Sequence, residues 1–299
     1  MNGGWGMRIG IIGGGAVGLL AGAYLGRKHD VHIVVRNMEQ RTILDREGVL
    51  CDQLSSPVPV KAHLKPHLPT DVDVWLISVK QYDLEEVLSL PLPKNGKYLF
   101  LQNGMGHLSL LQSLPMDSFA AVVEHGALKV SFNEVEHTGR GRIRAAPFTG
   151  LSADMEELAE ALHQPDFPIL VQDGAVKMLS EKMVINAVIN PLTALFKQKN
   201  RAVKENPYIR SLGYRLCEEA CRTLGLDLPT QWDRVLTIAE QTGGNQSSMW
   251  KDLQEGRRTE IDAISGFILE QSSEDLPWHE FVVEAVHAME FEKGVNIDE

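Results

Sequence analysis

Three glycines and one lysine-headed polar stripe are the residues of this 299-residue chain best suited to chemistry. Gly13, Gly15 and Gly18 stand at GxGxxG spacing directly behind the apolar run RIGII. In such a loop the first glycine permits a tight strand-to-helix turn, the second lets the backbone approach a pyrophosphate, and the third lets the helix pack close on the strand. Backbone N–H groups of the loop formed by Gly13, Gly14, Gly15, Ala16, Val17 and Gly18, with the positive end of the helix dipole behind them, then face the anion. The loop therefore predicts dinucleotide binding; a glycine-rich turn without a ligand is the plain alternative.

The next expected strand, Val31 to Val35, ends at Arg36, where a site selective for NAD usually carries Asp or Glu for the ribose hydroxyls. A guanidinium there can fork two N–H groups onto a 2′-phosphate and stack on adenine, so NADPH is expected over NADH. Glu39 remains within reach of a ribose, Arg41 adds positive charge, and a solvated loop arginine is the simpler account of Arg36. Ligands of open parallel sheets lie beyond the carboxyl ends of the strands. Lys80 ends VWLISVK, and Asn103 ends YLFLQN and opens the turn NGMG. Lys80 suits a phosphate or adenine, or else solvent; Asn103 suits a nicotinamide ribose, a carboxamide or a substrate hydroxyl, or else a plain Asn-Gly turn.

The second centre is EKMVINAVINPLTALF, Glu181 to Phe196. Lys182, Asn186 and Asn190 recur every four residues, Thr193 shares their face, and nearly everything between is apolar. A helix apolar all round is buried, and a polar stripe on it needs partners or costs a few kcal/mol, roughly, per group. Pro191 withholds an N–H from the Ala187 carbonyl, so a kink is expected that Asn190 can support, and Lys182 can instead be a snorkelling lysine. Further on, Asn245, Ser247 and Ser248 stand at an expected helix start, where free N–H groups and hydroxyls favour a carboxylate, although either serine can simply be the N-cap. Glu260 is expected in the first turn of a helix beginning near Thr259, a position the helix dipole alone would favour.

Apolar segments alternate with helical periodicity through the first half, which calls for a largely parallel sheet with helices on its faces. Strands are expected at Arg8 to Ile12, Val31 to Val35, Val74 to Val79 and Tyr98 to Leu101, and helices at Ala16 to Arg27, Glu39 to Arg46, Tyr82 to Leu88 and Met105 to Leu114. Phe119 to Val123, Ala127 to Phe132 and Arg142 to Ala145 then read as an antiparallel extension of that sheet. From about Asp173 the pattern is helical, with turn signals at Gly225 to Pro229, Gly243 and Gly244, and Gly256. The expected division is a dinucleotide-binding domain over 1–172 and a helical domain over 173–299.

A formal charge of -11 argues against nucleic acid or an anionic membrane as partner. No stretch has the length and apolarity of a membrane span, and Met1 to Gly6 carries no basic residue and no signal-peptide pattern. Three cysteines form no disulfide framework, which suits a reducing cytoplasm; Cys217 and Cys221, one helical turn apart, read as packing, and no metal site is expected.

The motifs GGGAVG, VVR, SVK, QNGMG, KMVINAVINPLTA and SSMWKDLQEGRRTEID, spread over most of the chain, together resemble the ketopantoate reductase (2-dehydropantoate 2-reductase) family. INPLTA and SSMxxD followed by RxTEID are far more specific than the glycine loop. The resemblance implies an α/β protein: an N-terminal Rossmann-type dinucleotide-binding domain joined to an all-α C-terminal domain of the 6-phosphogluconate dehydrogenase-like type, with substrate in the cleft between them. It implies Lys182 as the catalytic lysine, Glu260 as the glutamate that positions substrate and lysine, Asn186 and Asn190 as substrate-side asparagines, and Ser248, with Asn245 beside it, as holder of the substrate carboxylate. Arg36 matches the 2′-phosphate arginine, Lys80 and Asn103 the other residues on the NADP(H) side, and Asn200, in KQKNRAV, a further active-site asparagine.

The chemistry implied is hydride attack on the C2 carbonyl of a 2-keto acid, with Lys182 stabilising the alkoxide and delivering the proton. A paralogous reductase of another 2-keto acid, or a non-catalytic NADPH sensor, would share the fold. A proton donor facing the cofactor argues against the sensor. The expected partner is a small 2-keto acid, and a homodimer is compatible with the chain.

Overall fold

A computed structural model describes residues 6–112 and 114–295, so Met1 to Trp5 of the N-terminal stretch and Ser113 of the helix expected over Met105 to Leu114 lie outside the described residues. The chain divides into two compact units. One comprises the residues up to Gln102 with His107–Met178, the other Asn103–Gly106 with everything from Leu179 onward.

The first unit begins with the expected alternation: β1 (Arg8–Ile12), α1 (Ala16–Leu25), β2 (Asp30–Val35) and α2 (Met38–Glu47). It continues through β3 (Leu50–Cys51), β4 (Lys61–Leu64), β5 (Val74–Ile77), a 3-10 turn at Gln81–Asp83, α3 (Leu84–Leu88), β6 (Lys97–Phe100), α4 (Leu108–Gln112) and β7 (Asp117–Val123). The remaining elements are β8 (Gly126–Lys129), β9 (Glu134–Gly139), β10 (Ile143–Pro147), α5 (Ser152–Leu162) and β11 (Ile169–Val171). Eight strands form one sheet in the order β11-β10-β7-β6-β5-β1-β2-β4. The strands from β4 to β7 in that order are all parallel, whereas β10 pairs antiparallel with β7 and β11 runs parallel to β10, so these two strands are reversed. Ile12 stands opposite Val34 and Ile77, and Ile77 opposite Phe100, so these strands end level and their following loops gather at one edge.

The expected antiparallel extension is only partly there. β7 is parallel to its neighbour β6, and Ala127 to Phe132 leaves the main sheet: β8 pairs with β9, and β3 with β9, in a separate three-stranded sheet. The reason lies in α1. Every residue from Gly18 to Leu25 is buried, so the helix needs apolar cover on its far side too, and the small sheet packs there. β3, β4, β9, β11 and α5 were not expected. β3 and β11 are very short, and β9 hides its period-two pattern because its two buried positions are Val135 and His137.

His137 belongs to a buried chain of polar groups. Gly141 N–H donates to His125 Nδ1 (3.2 Å), and His125 Nδ1 also lies 3.0 Å from His137 Nε2. That nitrogen of His125 is therefore an acceptor, His137 donates through Nε2, and the Tyr24 hydroxyl donates to His137 Nδ1 at 2.7 Å.

The second unit is helical, as expected: α6 (Ala175–Phe196, whose first turn belongs to the first unit), α7 (Ala202–Glu205), α8 (Pro207–Leu224), α9 (Leu228–Gln241), α10 (Ser248–Gln254), α11 (Phe267–Gln271) and α12 (Pro277–Glu292). The turn expected near Gly225 ends α8, with Gly225 left-handed (φ 65°) and Asp227 capping α9 through the Thr230 N–H. Cys217 and Cys221 are buried free thiols 3.9 Å apart in α8. No described helix is long and apolar enough to cross a membrane. One expectation fails at Glu260: the helix begins only at Ile261, whose N–H is taken by the Thr259 hydroxyl (3.2 Å), and continues as a π-turn over Asp262–Gly266. Glu260 therefore stands at the cap of the helix, its carbonyl accepting the Ile264 N–H at 3.1 Å, instead of lying within the first turn.

Burial holds His107, His125 and His279 near pKa 4. The unfolded chain therefore takes up protons first, and the stability these neutral rings contribute above about pH 6.5 is lost as pH falls toward 4. Between pH 7 and 5 the expected loss is about 2 kcal/mol for each such histidine. Urea denaturation midpoints at the two pH values check this, and equal midpoints would contradict it.

Candidate functional site

In the first unit the glycine loop is built around one close approach. Gly13 has φ +118°, and a Cβ on Gly18 would overlap the Gly13 carbonyl oxygen, so α1 can start against β1 only with glycine at both places. The Ser78 hydroxyl donates to the carbonyls of Ile12 (3.1 Å) and Gly13 (3.0 Å), tying the loop to the end of β5. Gly15 is the N-cap of α1 and provides no side-chain cap, and a Cβ placed on it would meet nothing within 4 Å. The first-turn amides beyond Gly15 thus lack a side-chain acceptor beside open space, the arrangement an anion requires.

Two residues without any sequence signal hold that loop. The Gly14 carbonyl accepts from Lys129 Nζ (2.9 Å) on β8 and from Gln40 Nε2 (2.8 Å) on α2, and Gln40 also reaches the Phe132 carbonyl at 2.8 Å. The small sheet thereby supplies a cation beside the loop. Only the chain's long-range path brings Lys129 there, 115 residues from Gly14.

Arg36 directly follows β2 with its side chain 79% exposed; Asp83, at 3.9 Å, is a loose ionic neighbour. Asn37 caps α2 through the Gln40 N–H (3.0 Å), which fixes the backbone just after Arg36. Lys80 is half-buried and opens the 3-10 turn after β5. The strand end before it is held by Gln102 Nε2, which donates to the carbonyls of Ile77 and Val79 at 3.0 Å each.

In the second unit α6 carries the lysine-headed stripe. Lys182 is half-buried, while Asn186 and Asn190 are 7% and 8% exposed. Among the described residues neither asparagine side chain has a hydrogen-bond partner. Neither amide is wholly cut off from its surroundings, as the buried Asn200 Oδ1 is, so the pair can be reached by a ligand. The helix runs continuously through Pro191, and the Asn190 side chain makes no bond to it there. Thr193 turns inward instead, its hydroxyl bonding the Ile189 carbonyl (2.7 Å) and Ser247 Oγ (2.8 Å).

That contact resolves the two serines. Ser247 is the N-cap of α10, accepting from the Trp250 N–H at 3.2 Å, whereas Ser248 is the first helical residue, exposed and free of the capping bond. Asn245 lies on the loop just before, whose backbone is pinned by Asn200: the Asn200 N–H donates to the Asn245 carbonyl (3.1 Å) and Asn200 Nδ2 to Thr242 Oγ1 (2.9 Å). Asn200 Oδ1 is buried without a partner among the described residues. Glu260 and Asn103 meet directly, Asn103 Nδ2 donating to Glu260 Oε2 at 3.1 Å. Gly104, at φ +85°, makes this possible, because any Cβ there would overlap the Ala263 carbonyl oxygen. Lys182, Asn186, Asn190, Asn200, Asn245, Ser248, Glu260 and Asn103 thus all belong to the second unit, and Gly13 to Gly18, Arg36 and Lys80 to the first.

Comparison with known proteins covers nearly the whole chain. Residues 9–150 match the family model Ketopantoate reductase PanE/ApbA, and residues 176–290 match its C-terminal counterpart, Ketopantoate reductase PanE/ApbA C terminal. The 2-dehydropantoate 2-reductase of Bacillus subtilis (strain 168) is 38% identical over 272 residues, covering 89% of this chain and 91% of its own. Among solved structures, a "Probable 2-dehydropantoate 2-reductase" from Bacillus subtilis superposes with a TM-score of 0.85 at 35% identity, over 95% of this chain and 100% of that one. The ternary structure of D-mandelate dehydrogenase with NADH and anilino(oxo)acetate has a TM-score of 0.88 over 97% of this chain and 100% of that one, but at 21% identity it shares the fold alone.

The two glycines at the start of α1 should respond unequally to alanine. Gly18→Ala drives a methyl into a backbone oxygen and should cost about 1–3 kcal/mol of stability, whereas Gly15→Ala enters open space and should cost less than about 1 kcal/mol. Thermal denaturation of both variants checks this, and equal losses would refute the close approach at Gly18.

Proposed function

The chain belongs to the ketopantoate reductase family, and on that premise we propose that it reduces 2-dehydropantoate to pantoate with NADPH, in the cytoplasmic synthesis of pantothenate. The observation that carries the proposal is the pair of unpartnered amides of Asn186 and Asn190, largely but not wholly covered, one and two turns beyond Lys182. Neutral donors and acceptors at that depth suit a small polar substrate without adding charge to a site that receives a carboxylate.

When bound, NADPH supplies the hydride for C2 of the keto acid. Gly13 to Gly18 would hold its pyrophosphate, Arg36 its 2′-phosphate, and Lys80 the adjoining phosphate or adenine. Ser248 hydroxyl and the first-turn amides of α10, with Asn245 beside them, hold the substrate carboxylate. Lys182 Nζ faces the developing alkoxide, stabilises its charge and gives it a proton. Glu260, held by Asn103, orients the lysine and accepts the substrate's terminal hydroxyl, and Asn200 keeps the loop of Asn245 in place.

Lys182→Ala should lower kcat by about a hundredfold or more, with NADPH affinity nearly unchanged and the alkaline limb of the kcat–pH profile gone. A variant within threefold of wild-type kcat at saturating NADPH and ketopantoate would refute the general-acid role.

Cofactor and substrate choice are tested together by kcat/KM over a panel of 2-keto acids with NADPH and NADH. Ketopantoate with NADPH should lead the panel. Arg36→Ala should weaken NADPH binding by about 2 kcal/mol while leaving NADH nearly untouched; equal losses for the two cofactors would remove the 2′-phosphate assignment, and another keto acid in the lead would make the chain a paralogous reductase.

A further inference from the structure

Glu290, on α12, is the most deeply buried of the described carboxylates, 1% exposed. A carboxylate so far from water is tolerated only when its oxygens are hydrogen-bonded. All of its side-chain partners lead to one short segment. Oε1 accepts the Thr259 N–H at 2.6 Å, and Oε2 lies 2.9 Å from His287 Nδ1. The other nitrogen of His287 lies 2.9 Å from Asp262 Oδ1, and Arg258 reaches Asp262 Oδ2 at 3.4 Å. The residues gripped, Arg258, Thr259 and Asp262, bracket Glu260.

That bracket matters because Glu260 stands at the very start of its helix, joined to it through its carbonyl, which accepts the Ile264 N–H at 3.1 Å. It precedes Ile261, and the turn that follows is a π-turn, a geometry that is rare and frequently found at functional sites. On one side of this segment Gly104 passes so close to the Ala263 carbonyl that a Cβ would not fit, and Asn103 bonds Glu260; on the other stands the Glu290–His287 pair. We propose that Glu290 and His287 are positioning residues that fix the backbone on both sides of Glu260 and so aim its carboxyl at Asn103 and the substrate. This rests on the role given to Glu260 above. The bonds of Glu290 and His287 lead to Thr259 and Asp262, on either side of Glu260, so their effect on turnover passes through the segment that carries it.

The experiment is a double-mutant cycle with ketopantoate and NADPH. Glu290→Ala should lower kcat/KM for the keto acid about tenfold or more while the KM for NADPH stays within about twofold. Glu290→Gln, whose amide oxygen still accepts the Thr259 N–H, should recover most of that loss. In a Glu260→Ala background Glu290→Ala should change kcat/KM by less than about twofold, since the group it positions is gone. His287→Ala, at a half-buried site, repeats the cycle should Glu290→Ala fail to fold, and is expected to give a smaller loss that also vanishes without Glu260. Equal losses in both backgrounds, or no loss in either, would overturn the proposal with the role of Glu260 intact. Wild-type turnover by Glu260→Ala alone would instead remove that role, and the proposal with it.

Discussion

The contact between the Gly18 backbone and the Gly13 carbonyl is the constraint on which the first unit depends. It brings α1 down onto β1 at a separation that no side chain permits. Once there, α1 is buried along nearly its whole length, and its far side must be covered as well. The three-stranded sheet is that cover, and β8 in turn brings Lys129 to the Gly14 carbonyl. A requirement of two missing methyl groups thus propagates into the topology of strands more than a hundred residues away.

In the second unit the equivalent constraint is the burial of α6. Its apolar residues supply the driving force, and its polar ones set the terms on which burial is acceptable. Thr193 is satisfied within the protein, by a backbone carbonyl and the cap of α10, so it serves structure. Asn186 and Asn190 are not satisfied there, and that difference separates groups that hold the helix from groups available to a ligand. Ser247 and Ser248 divide in the same way at the start of α10: the cap is used up by the helix, and its neighbour is left exposed.

Charge follows a related economy. A chain of net charge -11 repels anions at long range. Lys129, bonded to the Gly14 carbonyl, sets a cation beside a helix start whose amides lack a side-chain acceptor, where a short separation outweighs distant carboxylates.

Local spacing determined a good deal by itself. The run RIGII, the three glycines and VHIVV dictate β1, the turn, α1 and β2, because the geometry of a strand-to-helix turn is written within a dozen residues. The lysine-headed stripe and Pro191 are equally local, since helical periodicity puts Lys182, Asn186 and Asn190 on one face in any fold that keeps the helix. The sequence could not say which of those polar groups would find a partner, because partners such as Ser247 for Thr193 come from other helices. Nor could it place β8 outside the main sheet, put Glu260 at the cap of its helix, or join Glu290 to Thr259 across 31 residues. Periodicity records which face is apolar; the packing of distant segments decides what that face meets and which buried polar atoms are left for a ligand.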